Sequence, residues 1–270
     1  MDAQSAERKA AVASFYDAVS SGHIDAIGGL IASSYVPHVA VFREAQLNPG
    51  GEALVERLQR QRRIGSEVKR MIADGDLVFA HVKYAGKVPV AGVDIFRFDA
   101  AGKIAEHWNI RQPLPQDSAR LEERFATLGR AAMRPWEPER LKNRVRQMLS
   151  ELWGKGNAAL VPDFYDESYV QHNLDMPGGF RRIQEIVANE IQRYISVTGG
   201  PFPVNVHRIG AEGDLVFVHI SIFMAGINRN EGVRSTNVDI FRVDENGRMV
   251  EHWDVLEMAS EPLPDESTLF

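Results

Sequence analysis

Residues 93–108 of this chain read VDIFRFDAAGKIAEHW and residues 238–253 read VDIFRVDENGRMVEHW, identical at ten of sixteen positions. Asp76-Leu-Val-Phe79 recurs at Asp214-Leu-Val-Phe217, each time with a histidine two residues on, His81 and His219. Tyr35-Val36-Pro37-His38 answers Tyr169-Val170-Gln171-His172, and Pro49-Gly50-Gly51 answers Pro177-Gly178-Gly179. Landmarks in the same order define an internal repeat, which limits the chain to two copies of one fold. The offset between partners runs 134, 128, 138 and 145, so the copies differ by insertions and deletions in connecting segments. Domain one is expected over residues 5–117 and domain two over 138–266. Between them SARLEERFATLGRAAM has helical periodicity, with Ser118 as N-cap and Pro135 beyond its end, so residues 118–137 read as a part-helical linker.

Each copy opens with an amphipathic helix, clearest in Leu141, Val145, Met148, Leu149, Leu152 and Trp153, whose spacing keeps them on one stripe. A short helical segment follows, then the Tyr-Val-x-His stretch, then a longer helix launched from Gly-Gly. Three strands complete the copy, and the last two are joined by a turn at Asp99–Gly102 or Asp244–Gly247. Helices first and an antiparallel sheet afterwards is an α+β order. Both faces of Leu215 to Met224 are largely apolar, so the second face is expected to be covered, with the other copy as the obvious cover.

Composition removes several function classes. There is no cysteine, which excludes disulfide frameworks and thiolate chemistry. Thirty-seven acidic residues against 31 basic ones argue against nucleic acid as a partner. The one basic run, Arg57 to Arg70, lies at helical spacing and reads as a solvated helix face. No apolar stretch has the length of a membrane span and Met1 to Lys9 lacks the order of a secretory signal, so no membrane association and a cytoplasmic location are expected. Gly154-Lys-Gly156-Asn-Ala-Ala159 follows a helical stripe rather than a strand, which disqualifies it as a dinucleotide fingerprint. No histidine pair has metal-ligand spacing, so no metal site is expected from sequence alone.

Tyr169-Val170-Gln171-His172-Asn173, followed by VDIFRVDENGRMVEHWDV ending at Val255, resembles the SnoaL-like polyketide cyclase group of the NTF2-like superfamily. The resemblance covers nearly all of domain two and, more weakly, domain one. It implies a cone-shaped α+β domain, a curved antiparallel sheet wrapped around N-terminal helices, with a deep apolar pocket and dimerisation through the outer sheet face. Two copies in one chain then make an intramolecular pseudo-dimer. It also implies acid/base chemistry on a small apolar, oxygenated molecule, with no metal or organic cofactor: an aspartate of the last strand exchanges protons in an aldol cyclisation. The matching position is Asp254.

Strand alternation puts His252 and Asp254 on one face and Glu251, Trp253 and Val255 on the other. A carboxylate on an apolar wall has its charged form disfavoured, which suits Asp254 to proton exchange; the alternative is an aspartate tied to an arginine or a loop end. Asp239 lies on the neighbouring strand, as a coupled carboxylate or, since VDIFR stands in both copies, a buried structural hydrogen bond. His219 is a candidate donor to a substrate carbonyl oxygen or a satisfied core residue. Gln171, His172 and Asn173 form a loop-like polar cluster that could orient an oxygenated ligand, or cap a turn. Domain one carries Asn109 at the Asp254 position, and Pro37 and Val39 where domain two has Gln171 and Asn173. It keeps His38, His81 and Asp94, so with Asn109 it is expected to be silent or to bind a ligand by hydrogen bonding alone. A small-molecule-binding protein without chemistry is the second reading, and an interaction protein with a filled cone the third.

Overall fold

The computed structural model describes residues 2–39, 49–60, 65–115, 118–128, 136–173, 175–225 and 232–259. The chain divides into two compact units, with the division at residues 116 and 117. Among the described residues no helix is long and apolar enough to cross a membrane.

The first unit runs α1 (Ala3–Ser21), a 3-10 turn (Ile24–Gly29), β1 (Ile31–Val39), α2 (Gly51–Arg60), β2 (Ser66–Asp74), β3 (Leu77–Tyr84), β4 (Val90–Phe98) and β5 (Ile104–Pro113). Helix α1 starts where the Asp2 side chain accepts the Ser5 backbone N–H at 2.7 Å and stops at Gly22, whose φ of +80° a side-chain-bearing residue rarely adopts. Its buried stripe, Val12, Phe15 and Tyr16, packs with Val78, Ala80, Val82, Phe96 and Phe98 on one face of the sheet. Strand order is β1-β5-β4-β3-β2.

The second unit repeats this plan with α3 (Ser118–Phe125) in front of it. Then come α4 (Pro138–Met148) continuing into a π-helical turn (Leu149–Gly154), a 3-10 turn (Ala158–Leu160), α5 (Val161–Phe164), β6 (Tyr165–Gln171) and α6 (Gly179–Glu185). A second π turn leads to α7 (Gln192–Thr198), β7 (Val204–Glu212), β8 (Leu215–Ala225), β9 (Gly232–Val243) and β10 (Met249–Ala259). The stripe seen in the sequence is the core face of α4: Leu141, Val145, Met148, Leu149 and Leu152 are buried among Val216, Val218, Ile220 and Phe241. Both hairpin turns are built alike. Asp99 Oδ1 accepts the Ala101 and Lys103 N–H groups, and Asp244 Oδ1 those of Asn246 and Arg248.

Two expectations need correction. Each sheet has five strands rather than three, and it is mixed: β1 runs parallel to β5 and β6 parallel to β10, while the remaining pairs are antiparallel. The Tyr-Val-x-His stretch is therefore an edge strand, where Pro37 is tolerated because no second neighbour needs its missing N–H. The basic run Arg57 to Arg70 is not one helix face: α2 ends at Arg60, residues 61–64 lie outside the described set, and Arg70 belongs to β2, buried, with its NH1 3.1 Å from His81 Nδ1. Pairing of β2 with β3 overrides the helical spacing there. Of the segment expected as a part-helical linker, Ser118–Phe125 forms α3, and Pro135 lies outside the described residues.

Candidate functional site

In the second unit Asp239 and Asp254 are directly opposite each other on β9 and β10, both on the helix-facing side of the sheet. His252, two residues before Asp254 and on the same face, stacks on Phe241 with ring centroids 4.7 Å apart. Its Nε2 lies 3.5 Å from Asp239 Oδ1, and its Nδ1 lies 2.9 Å from Gln171 Oε1. Asp254 Oδ2 accepts the Asn173 side-chain N–H at 2.7 Å, and its Oδ1 accepts Arg124 NH2 at 3.3 Å. Asn173 follows the end of β6 and Arg124 comes from α3, so two separate elements converge on the one carboxylate of β10.

Burial of Asp254 lifts its pKa above the ordinary carboxylate value, and the Asp239 charge adds to the lift. His252, Arg124 and Asn173 pull the other way without cancelling it. Asp239, His252 and Asp254 each offer a ligand atom, all within 4.8 Å of one another, a set that chain spacing did not disclose. The Arg124 guanidinium sets a positive charge against Asp254, where a metal ion bound to that carboxylate would be repelled.

Arg124 is held in place by its neighbours. Glu123 O is 3.1 Å from His172 Nδ1, Trp253 Nε1 donates to Ala126 O at 2.8 Å, and Leu128 N donates to Glu251 Oε1 at 2.6 Å. Glu251, wholly buried, is also paired with His172 at 3.1 Å and Arg242 at 2.9 Å. Residues 123–128 thus form a strap clasped to β10.

The other sequence candidates are placed elsewhere. His172 is stacked on Trp253 at 4.9 Å and 2° and paired with Glu251 at 3.1 Å. His219 pairs with Val238 across β8 and β9, on the face opposite Asp239. Arg208 NH1 can only donate to its Nδ1 at 3.3 Å, so Nε2 donates to Thr236 Oγ1 at 2.8 Å and both ring nitrogens are engaged. Asn173 bonds to Asp254, and Gln171 to His252. Asp239 and His252, rather than His219 or His172, lie beside Asp254.

In the first unit the equivalent residues form a saturated hub. Asp94, 1% exposed, lies opposite Asn109. Its Oδ2 accepts the hydroxyls of Tyr16, at 2.5 Å, and Tyr84; its Oδ1 accepts His107 Nε2 at 3.0 Å and the Asn109 amide, with Arg111 NH2 3.7 Å away. Burial alone would raise the Asp94 pKa, but Arg111, His107 and Tyr16 together hold it well below the usual carboxylate range. Burial and the Asp94 charge push the Tyr16 and Tyr84 hydroxyls far up. His38 repeats His172, stacked on Trp108 at 4.5 Å and 3.3 Å from Glu106; His81 repeats His219, beside Arg70 on the outer face. Sequence reasoning placed His252 on the Asp254 face but gave neither it nor His107 a role, although EHW stands in both copies, and it passed over Tyr16, Tyr84, Arg111 and Arg124. Nothing in the local pattern marks Arg124, which meets its partner 130 residues away.

Comparison with known proteins agrees with the duplication. No curated protein matches the chain. Among solved structures, an NTF-2 like protein of unknown function from Burkholderia xenovorans LB400 is similar at 18% identity and TM-score 0.36, covering 43% of this chain and 91% of that one. An NTF2-like protein of unknown function from Mesorhizobium loti gives 20% identity and TM-score 0.37, covering 42% and 96%. An LEH-like epoxide hydrolase of M. tuberculosis gives 24% and 0.34, covering 40% and 84%. A SnoaL-like domain model matches residues 12–107 and again residues 145–252, most of the chain. The chain belongs to the SnoaL-like domain family, twice over.

Proposed function

We propose that the second unit is a general acid/base enzyme acting on an apolar, oxygenated small molecule, with Asp254 exchanging the proton. The observation that carries this is a buried carboxylate with a raised pKa, set beside a second carboxylate and an imidazole on the inner face of the sheet. A carboxyl group whose pKa moves towards neutrality gives up and takes back a proton at similar cost, the condition for acid/base work. Asn173 and Arg124 hold its two oxygens, fixing its orientation. Aldol-type cyclisation, isomerisation and dehydration share this step. Neither metal nor organic cofactor enters it.

A second reading, a binding protein without chemistry, is favoured by the Arg124–Asp254 pair, because an ion-paired aspartate can serve structure alone, as Asp94 does in the first unit. Proton exchange separates the two. Incubated in D2O with a panel of hydroxylated aryl ketones, the full chain is expected to speed deuterium incorporation next to the carbonyl. Asp254→Asn, the residue the first copy already has, should reduce that rate by about 10²-fold or more while ligand affinity stays within a few-fold. Exchange unchanged in Asp254→Asn overturns the assignment and leaves the binding reading.

A further inference from the structure

The two copies hold the same histidine in opposite states. In the second unit Gln171 Oε1 accepts the Asn173 backbone N–H at 3.0 Å, and a backbone amide can only donate. That decides which end of the Gln171 amide faces the pair, since the reversed amide would set N–H against N–H. The same Oε1 is 2.9 Å from His252 Nδ1, so in its neutral form His252 carries its proton on Nδ1. Its Nε2 is left as a lone pair, buried and without a hydrogen-bond partner, in a residue only 6% exposed. Nε2 faces Asp239 Oδ1 at 3.5 Å and belongs to the group within 4.8 Å that includes Asp254.

In the first unit the ionised Asp94 accepts from His107 Nε2 at 3.0 Å, so Nε2 carries the proton there. Nδ1 then accepts from the Tyr35 hydroxyl at 3.2 Å, and the ring has nothing left to offer. The sheet register shows what differs: Pro37 is the cross-strand partner of His107, and Gln171 that of His252. Proline has neither a side-chain acceptor nor an N–H with which to set the ring.

We propose that Gln171 is a positioning residue that locks His252 in the Nδ1–H tautomer, making Nε2 the second proton acceptor of the site. Building on the acid/base role of Asp254, the step is a relay. The proton that Asp254 takes from substrate leaves its carboxyl O–H and forms an Nε2–H bond on His252. Asp254 returns to carboxylate, His252 becomes imidazolium, and Asp239 answers that charge at 3.5 Å. The proton goes back along the same line to the product. The first copy, its histidine saturated, cannot run this relay.

Long-range 1H–15N correlation of the histidine rings in the intact 15N-labelled chain tests this with no substrate. The spectrum is recorded about two units above the ordinary imidazole pKa of ~6.5. His252→Gln and His107→Gln variants identify the two signals. The expected result is Nδ1–H for His252 and Nε2–H for His107. Gln171→Met, which removes the acceptor, should move His252 towards Nε2–H, and Gln171→Glu, which restores an oxygen, should return it. Should Gln171→Met fail to fold, Gln171→Ser, too short to reach the ring, takes its place. Nε2–H on His252 in the wild-type chain overturns the proposal, as does a tautomer that ignores the loss of the Gln171 acceptor. The tautomer is read independently of turnover, so its failure is distinct from a failure of Asp254→Asn to slow exchange.

Discussion

Asp94 and Asp254 are both buried carboxylates on the inner face of a sheet, and their environments push them in opposite directions. Asp94 faces Tyr16 from α1, Tyr84 from β3, and His107, Asn109 and Arg111 from β5, all of which donate to or neutralise it. Its folded pKa lies below the unfolded value, so its contribution to stability is fully present above about pH 3.9 and is lost as pH falls below that. Asp254 has a raised folded pKa, so its ionisation costs stability as pH climbs above the same ~3.9. Urea unfolding of Asp94→Asn at pH 7 should therefore show a loss of about 3–5 kcal/mol, because Arg111 is left without its buried carboxylate, and the loss should shrink towards pH 2. For Asp254→Asn the trend reverses, the variant gaining on the wild type as pH rises from 3 to 7. Parallel pH trends for the two variants would contradict this account. At this scale the sequence disclosed the positions and not the partners. Strand alternation alone put Asp239, His252 and Asp254 on one face. Arg124 and Tyr16 reach their aspartates from distant segments, and no local pattern encodes such a meeting.

The elements that were legible are those whose signal is local. The amphipathic stripe of α4, the Gly-Gly helix starts and the Asp-to-Gly hairpin turns all read directly, because periodicity and turn chemistry are properties of neighbouring residues. The edge strands β1 and β6 did not, since IASSYVPHV and YDESYVQ are polar and one contains proline; they are strands because β5 and β10 offer a free edge to pair with. Gly92 of β4 gives a test at this scale. A Cβ there would meet Tyr84 Cε2 at 2.7 Å and Arg111 Cδ at 3.3 Å. The Tyr84 ring cannot swing away cheaply, for its hydroxyl is bonded to Asp94 and the Arg111 guanidinium lies 3.5 Å from its centroid. Gly92→Ala is expected to cost about 1–3 kcal/mol by overpacking, read by thermal unfolding, with the near-UV signal of the tyrosines altered. A neutral substitution would mean that the hub around Asp94 is slack.

Among the described residues, one cluster of buried apolar residues is drawn from positions 12–104 and another from 141–249. Among the described residues, the strap of residues 123–128 groups with the second unit. That makes the position of a cut consequential. A C-terminal fragment beginning at residue 117 keeps Arg124 on Asp254 and the Leu128 amide on Glu251, whereas one beginning at residue 136 loses both. Leaving a buried acceptor without its donor costs about 1–3 kcal/mol, so the shorter fragment should unfold at lower urea by at least that amount while keeping its β signal in circular dichroism. Equal midpoints would show that the strap only decorates the surface. The same preparations test the expectation, drawn from the apolar second face of Leu215 to Met224, that the copies form a pseudo-dimer. Halves produced by a cut at 116/117 should elute together in size exclusion at micromolar concentration, and independent monomers would remove the pseudo-dimer while leaving each unit's fold and the Asp254 site as described.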